Sequence, residues 1–330
     1  MRSAAAIEER LLVPAYASRW SSLTVAAHRM LAFPLQLRGP VRRRTVEESA
    51  EREVTLLEIG RPKLTEPLCA RLFGELPPAE SETSRSLSDP AEAAGAADLV
   101  VAEVHRWVAP RFRRAGWFIV PDQVRWQGEL SALPPPVPSH SLKDDLRKVR
   151  SQGYTLEQAT SAGDWEEFAA TMVAPQANAR FGRDAWIPSP YLWRQFAERG
   201  QLHFVVRDGV RVGGVCLLRS GDTVWLPLSG VRHGDPALLR AGVSVAAYAL
   251  AFEWAKRHGC ERVDMGRTSP FLHDGVQQYK RKWGLDPVPD PLAHLMAVWV
   301  GSDAARLAFA REPVLIEREA GLWLYAGGKV

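Results

Sequence analysis

The sequence predicts an α/β protein in which a short antiparallel meander feeds a long helix, followed by a further strand and then a basic helix. Two stretches carry this reading. Residues 203–229 hold three strand-forming runs separated by Asp208-Gly209 and by Ser220-Gly221-Asp222, the turn chemistry of consecutive hairpins. Residues 262–284 then read as strand, polar loop and helix: Val263 and Met265 alternate, Gly266 breaks the strand, and Val276, Tyr279 and Trp283 recur at i, i+3 and i+7 on one helical face.

The remaining elements follow in order. Residues 11–37 are moderately apolar, but Arg19, His28 and Arg29 interrupt them well short of a membrane span, so they read as packed helix. Residues 75–94, rich in Pro, Ser and acidic side chains, read as a surface loop. Residues 133–141 read as a stiff polyproline linker ending in a helix cap. Between these, residues 98–105 are expected as a strand, and residues 117–120 begin another that runs toward Trp126 after Pro121. Ser141 is the expected cap of a helix through Arg150, with Asp144 and Asp145 near its positive end and Arg147, Lys148 and Arg150 near its negative end. Residues 164–172 form a second helix. An irregular stretch with Phe181, Gly182, Trp186 and Pro188 follows, and Pro190 opens a third helix through Arg199. After the meander, residues 237–258 are expected as one long helix stopped by Gly259, then strand 262–266, then a helix from Asp274 to Gly284.

A chain of 330 residues exceeds one comfortable core, so two domains are expected, 1–132 and 141–330, joined by a proline-rich linker at 133–140. A net charge of +4 with a pI near 9.1 is too small a bias to mark a nucleic-acid binder by itself. The cations are bunched at Arg42, Arg43 and Arg44, at Arg111, Arg113 and Arg114, and at Lys280, Arg281 and Lys282, and such runs are expected on solvated surface. Cys69, Cys216 and Cys260 are odd in number and far apart. They support neither a disulfide framework nor a thiolate metal cluster, so a reducing, cytoplasmic setting without a bound metal is expected.

Three stretches taken in order, Ser141-Leu-Lys-Asp-Asp-Leu-Arg-Lys-Val-Arg150, Val263-Asp-Met-Gly266 and Tyr279-Lys-Arg-Lys-Trp-Gly284, resemble the GNAT superfamily of acyltransferases. The closer resemblance is to its Fem-like and cellulose-biosynthesis-like branch, over residues 141–291. It implies a mixed, mostly antiparallel sheet flanked by helices and splayed between residues 224–229 and 262–266. It also implies tandem GNAT-like domains, residues 1–132 being a divergent first copy. The activity implied is amide formation, an amine of a small molecule or of a cell-wall or natural-product precursor attacking an activated carbonyl on a carrier. Such a fold contributes chiefly by juxtaposing the reactants and by offering a backbone donor to the oxyanion where two strands part.

On that resemblance Asp264, beside the splay, is the candidate base for the amine, with bracing of a neighbouring loop as the competing role. Tyr279 aligns with the tyrosine that protonates the departing thiolate in many GNAT enzymes; packing on the stripe of Val276 and Trp283 competes. Arg267, Thr268 and Ser269 supply donors suited to phosphate or carboxylate just past the strand. His273, Trp186 and Arg147 join Thr268 and Ser269 as acceptor-side candidates. Coenzyme A users usually show an Arg or Gln before a Gly-rich turn at the start of the central helix. Ser229-Gly-Val-Arg-His-Gly-Asp-Pro-Ala237 instead places its glycines at other spacings and adds an Asp that repels phosphate, with Arg232 as its cation. In the Fem-like branch that loss accompanies an aminoacyl-tRNA donor faced by basic residues of the last helix, which Lys280 and Lys282 match. Aminoacyl-tRNA therefore ranks ahead of acyl-CoA as donor substrate, and a non-catalytic binding or scaffold protein is the third reading. No bound cofactor and no integral membrane contact are expected.

Overall fold

A computed structural model describes residues 38–49, 52–86, 95, 97–182 and 185–328; the helix expected at 11–37 lies outside the described residues. The first part of the chain holds β1 (Arg38–Ser49), β2 (Arg52–Ile59), α1 (Pro62–Phe73), β3 (Ser81–Ser86), β4 (Leu99–Val104), α2 (Ala109–Arg114), β5 (Phe118–Pro121) and β6 (Val124–Glu129). After the proline-rich stretch come α3 (His140–Gln152), β7 (Thr155–Gln158), α4 (Ala162–Phe168), a π-helical turn (Ala169–Val173), α5 (Ala174–Phe181) and α6 (Pro190–Arg199). The meander is β8 (Gln201–Arg207), β9 (Val210–Ser220) and β10 (Thr223–Val231), followed by α7 (Pro236–Arg240), α8 (Val243–Arg257), β11 (Arg262–Thr268) and α9 (Gly275–Lys282). The chain closes with β12 (Asp286–Pro289), β13 (Leu295–Val300), α10 (Asp303–Arg311), β14 (Val314–Arg318) and β15 (Gly321–Tyr325).

The result is an α/β fold with two mixed, mostly antiparallel sheets. One runs β15-β14-β5-β13-β4-β2-β1-β3 and the other β12-β6-β11-β10-β9-β8-β7. Two compact units result, each discontinuous in sequence: one holds residues 126–266 and 280–286, the other the described residues up to 125, residues 267–279 and those from 287 onward. The division expected at 133–140 therefore moves. Leu133 is buried, and its carbonyl accepts a 2.8 Å bond from Lys256 Nζ, so the start of the proline-rich stretch is tied to the first unit, while Val137 stands exposed. The last strands join the second unit because β13 pairs with β4 from Leu295↔Val104 to Val300↔Leu99, a long-range pairing with no local signature.

In the first unit the meander forms as its turns dictate. Asp208 (φ +53°) and Gly209 (φ +74°) take the two left-handed positions of a tight hairpin turn. One face of β9 and β10 packs on α8 and the other on the π-helical turn, where Gly230 is required: a Cβ there would lie 2.7 Å from the Met172 carbonyl carbon. The cap of α3 is Ser139, whose Oγ accepts from Leu142 N, not Ser141. The helix expected at 164–172 instead passes through the π-helical turn and ends at Phe181. The helix expected at 237–258 is broken, because Gly242 (φ +91°) turns the chain between α7 and α8.

In the second unit, residues 75–94 are not only loop, since β3 pairs with β1 from Arg38↔Ser86 to Arg43↔Ser81. The run Arg42-Arg43-Arg44 is not a solvated patch either. Strand alternation turns Arg42 and Arg44 inward onto the buried Glu58, at 3.5 and 2.8 Å, and leaves Arg43 outside. Among the described residues no helix is long and apolar enough to cross a membrane.

Candidate functional site

The site is built where β10 and β11 part company. They pair in parallel over Thr223↔Arg262, Val224↔Val263 and Trp225↔Asp264, and there the ladder ends although both strands continue. Two local features open it. On β10 the register against β9 slips between Trp225 and Leu228, a bulge containing Pro227, which has no N–H to give to a neighbour. On β11 Gly266 takes φ +74° and swings the strand away. A Cβ built on Gly266 would meet Trp225 Nε1 at 3.6 Å and the Leu226 carbonyl oxygen at 4.0 Å, both ordinary contacts, so it is the left-handed φ and not crowding that calls for glycine here. The backbone N–H donors on either side of Pro227 are those of Leu226 and Leu228.

Asp264 forms the floor of this opening. It is fully buried; one carboxylate oxygen accepts from Gly266 N at 2.7 Å and the other from Gln127 Nε2 at 3.0 Å. These bonds hold the turn at Gly266, which is the geometry of a brace. Gln127 carries no sequence signal of its own, because it reaches Asp264 from a strand 137 residues away.

Beyond the bulge, two hydrogen bonds fix β10. Val231 N donates to Gln176 Oε1 at 2.5 Å, and Ser229 Oγ lies 3.0 Å from the Tyr248 hydroxyl on α8. Tyr248 also meets the Trp283 ring edge-on, with centroids 6.4 Å apart. Burial raises the Tyr248 phenol above its ordinary value, against the opposing effects of the Ser229 bond and the Arg180 charge. The same limb is anchored by an ion cluster: Arg211 bonds Asp164 and Glu167, each at 2.7 Å, and also Glu157. Arg232 donates to Glu167 as well and to the Arg211 carbonyl. The backbone N–H of Thr160, then Arg211, hold Asp164 well below the usual carboxylate range. Burial pushes Glu167 up, but Arg232 and Arg211 outweigh it and bring it down.

The sequence-derived candidates are distributed as follows. Tyr279 is half-buried on α9 with its hydroxyl oxygen enclosed. Lys280 is 5 % exposed and Lys282 Nζ bonds Asp145 Oδ2 at 2.6 Å, so of the cationic helix end only Arg281 is displayed. Arg232 is engaged by the ion cluster. Arg267 pairs with the fully buried Asp290. Thr268 Oγ1 donates to the Ser269 carbonyl at 3.0 Å, and Ser269 Oγ accepts from Phe271 N at 3.4 Å, so both hydroxyls close the turn. His273 is exposed, 3.7 Å from Glu312. Trp186 is exposed, and Arg147 is exposed and pairs with Asp144 at 3.2 Å. Asp235 and Asp274 cap α7 and α9 through Ala237 N and through Val276 and Gln277 N.

The family model for an acetyltransferase (GNAT) domain matches residues 139–281. No curated protein matches the chain. Among solved structures the chain is similar to L-PGS from Bacillus licheniformis, at 12% identity over 89% of this chain and 91% of that one with a TM-score of 0.43. It is also similar to FemX, at 13% identity over 90% and 96% with a TM-score of 0.43. A GCN5-related N-acetyltransferase from Sphaerobacter thermophilus gives 17% identity over 61% and 57% with a TM-score of 0.34.

Proposed function

From the premise that residues 139–281 are a GNAT domain and the protein an acyltransferase, we propose that it moves an acyl group from coenzyme A to the amine of a small-molecule acceptor, forming an amide. The observation that carries this reading is the end of the β10–β11 ladder at Trp225 and Asp264, with the proline bulge beside it. A thioester carbonyl lying in that opening meets N–H donors fixed by the sheet, and the attacking amine reaches it without competition from ladder hydrogen bonds. Losing one such preorganised donor typically costs about 10²–10³-fold in turnover. Asp264 sets the opening by holding Gly266.

The choice of donor reverses the ranking drawn from sequence. A cationic helix end that grips RNA must display its charges, and two of its three cations are withdrawn, one by burial and one by Asp145. The start of α8 supports a pyrophosphate-bearing donor instead: Gly242 gives that end no side-chain cap, and Arg240 is exposed beside it.

Aminoacyl-tRNA remains the second reading, favoured by the exposed cations Lys143, Arg147, Lys148 and Arg150 of α3 together with Arg281. Thiol release from acetyl-coenzyme A in the presence of a panel of primary amines, beside tRNA binding across a salt series, separates the two. Release with weak, shallow salt-dependent RNA binding supports coenzyme A. No release, with a log–log salt slope of about −3 or steeper, supports tRNA.

A further inference from the structure

We propose that Gln176 is a positioning residue of the acyl transfer: its side-chain carbonyl takes the place that β11 vacates on the outer edge of β10, and so holds the limb of that strand beyond the bulge in register for turnover. The assignment rests on the acyl-transfer reading above and adds to it a residue that touches no reacting atom.

The order of the sheet identifies the edge. β10 has β9 on one side and β11 on the other, and past the bulge only β9 stays paired, from Leu228↔Cys216 to Val231↔Gly213. Backbone N–H groups of a strand lie in the plane of its sheet, so each points at one neighbour or the other. That of Val231 donates to Gln176 Oε1 at 2.5 Å, from backbone still extended at φ −110° and ψ 135°, and it therefore points to the side that β11 has left. A primary amide carbonyl accepts as a peptide carbonyl does, and one side chain serves there in place of a strand.

The helical segment that carries Gln176 grips the end of β10 at three successive points. Glu167 of α4 binds the Arg232 guanidinium. The π-helical turn rests on Gly230, where a Cβ would lie 2.7 Å from the Met172 carbonyl carbon and 2.8 Å from Val173 N. Gln176 takes Val231 N, and its Cα sits so close to Gly234 (φ +61°) that a Cβ there would be 3.1 Å away. The π turn is what aligns these contacts. On an unbroken α-helix residues 167 and 176 would stand on opposite faces, because each step turns by about 100°. In the π turn Ala174 N donates to Ala169 O, five residues back, and the extra residue returns Gln176 to within about 80° of Glu167. Pro175 accounts for the turn: lacking an N–H, it cannot continue the i→i−4 ladder to Thr171 O.

Between Trp225 and Val231 no described strand pairs with the outer edge of β10, and this is the stretch whose backbone donors the reaction uses. The ladder holds one end of it and Gln176 the other. Without that bond Val231 N has no acceptor, and the limb shifts to find one in water. A displacement of roughly 1 Å is enough to lower turnover by about 10²-fold.

The test uses the full chain, acetyl-coenzyme A and the amine panel. Gln176→Met keeps the length and helix propensity of the side chain and removes the acceptor. It should lower kcat per folded molecule by about 10–100-fold, with KM for acetyl-coenzyme A within a few-fold of the parent. Gln176→Glu keeps an acceptor oxygen at the same reach and should return kcat to within about three-fold of the parent. Amide hydrogen exchange at Val231 should follow the same order, slow in the parent and the Glu variant and faster in the Met variant. A contact that serves stability alone would lower the melting temperature of the Met variant and leave kcat of its folded molecules parental, and that result overturns the assignment. A Glu variant as slow as the Met variant overturns it too. Either result leaves the acyltransferase reading standing. A parent that releases no thiol from acetyl-coenzyme A fails the coenzyme A reading, and the assignment falls with it. Should Gln176→Met not fold, Gln176→Asn decides in its place, since its amide is one methylene short of Val231: parental kcat there overturns the proposal.

Discussion

Two parallel strand pairs, β2 with β4 and β10 with β11, are finished differently. In the first, β2 and β4 pair from Leu56↔Leu99 to Ile59↔Ala102 and stay in touch beyond the ladder. A Cβ on Gly60 would come within 2.5 Å of Glu103 Cβ, and Arg61 N donates to Glu103 Oε2 at 3.0 Å. A buried carboxylate and its guanidinium fill the place where the strands could have parted. At the second, β10 and β11 pair over three residues and the ladder then ends, at the left-handed Gly266 on one strand and the bulge containing Pro227 on the other. A parallel pair thus ends in a closed junction when a charged side chain is drawn across it. It yields an open one when a bulge and a left-handed glycine turn the two backbones apart.

The closed junction should fail through stability. Gly60→Ala adds a methyl against Glu103 at a backbone angle that favours glycine (φ +120°), and should cost about 3–5 kcal/mol in urea unfolding. Turnover per folded molecule should be unchanged, and a parallel loss of kcat would dissolve the contrast between the junctions.

The unit with the open junction should be acid-sensitive through His203, which burial, and then the nearby His258, lower from 6.5 to about 4. The folded state therefore favours neutral imidazole. Its contribution is complete above pH 6.5 and disappears as pH falls toward 4, at about 2–3 kcal/mol in total. His203→Phe, which keeps a ring against Trp254, should flatten the melting temperature between pH 6.5 and 4 relative to the parent.

At the open junction itself the expected loss is in rate. Gly266→Ala should cost only about 1 kcal/mol of stability. By re-aiming β11 it should lower kcat by about 10–100-fold, since misplacement of roughly 1 Å is felt at that level. The smallest effect is expected at Asp264. Asn keeps an oxygen for Gly266 N, and the Gln127 amide can turn to meet its NH₂, so Asp264→Asn should stay within about three-fold of parental turnover, as suits a brace. A loss of about 10²-fold or more without unfolding would restore Asp264 as the base.

Where the chain's signals are local, the sequence is legible. Asp208-Gly209 marks its hairpin, Pro190 to Arg199 is a helix at both predicted ends, and the strands that form the open junction are readable from alternation. Lys280 lies at i+4 from Val276 and three before Trp283, so it shares the packed face, and a run of three cations obscured that. Ser229 interrupts an apolar strand, which flags it, but nothing local pairs it with Tyr248, 19 residues on. The break at Gly242 was hidden by the good helix formers on either side. What no local pattern carries is pairing between distant segments: Gln127 with Asp264, β13 with β4, and the Arg61–Glu103 pair that closes the first junction.

The central claim is that the parting of β10 and β11 supplies the backbone donor for acyl transfer. It is tested most directly by replacing Leu226, and separately Leu228, with the corresponding α-hydroxy acid, which exchanges one N–H for an ester oxygen and leaves every side chain in place. The account predicts that one of the two ester proteins melts within a few degrees of the parent yet loses about 10²–10³-fold in kcat with acetyl-coenzyme A. Two folded ester proteins with parental turnover would contradict it.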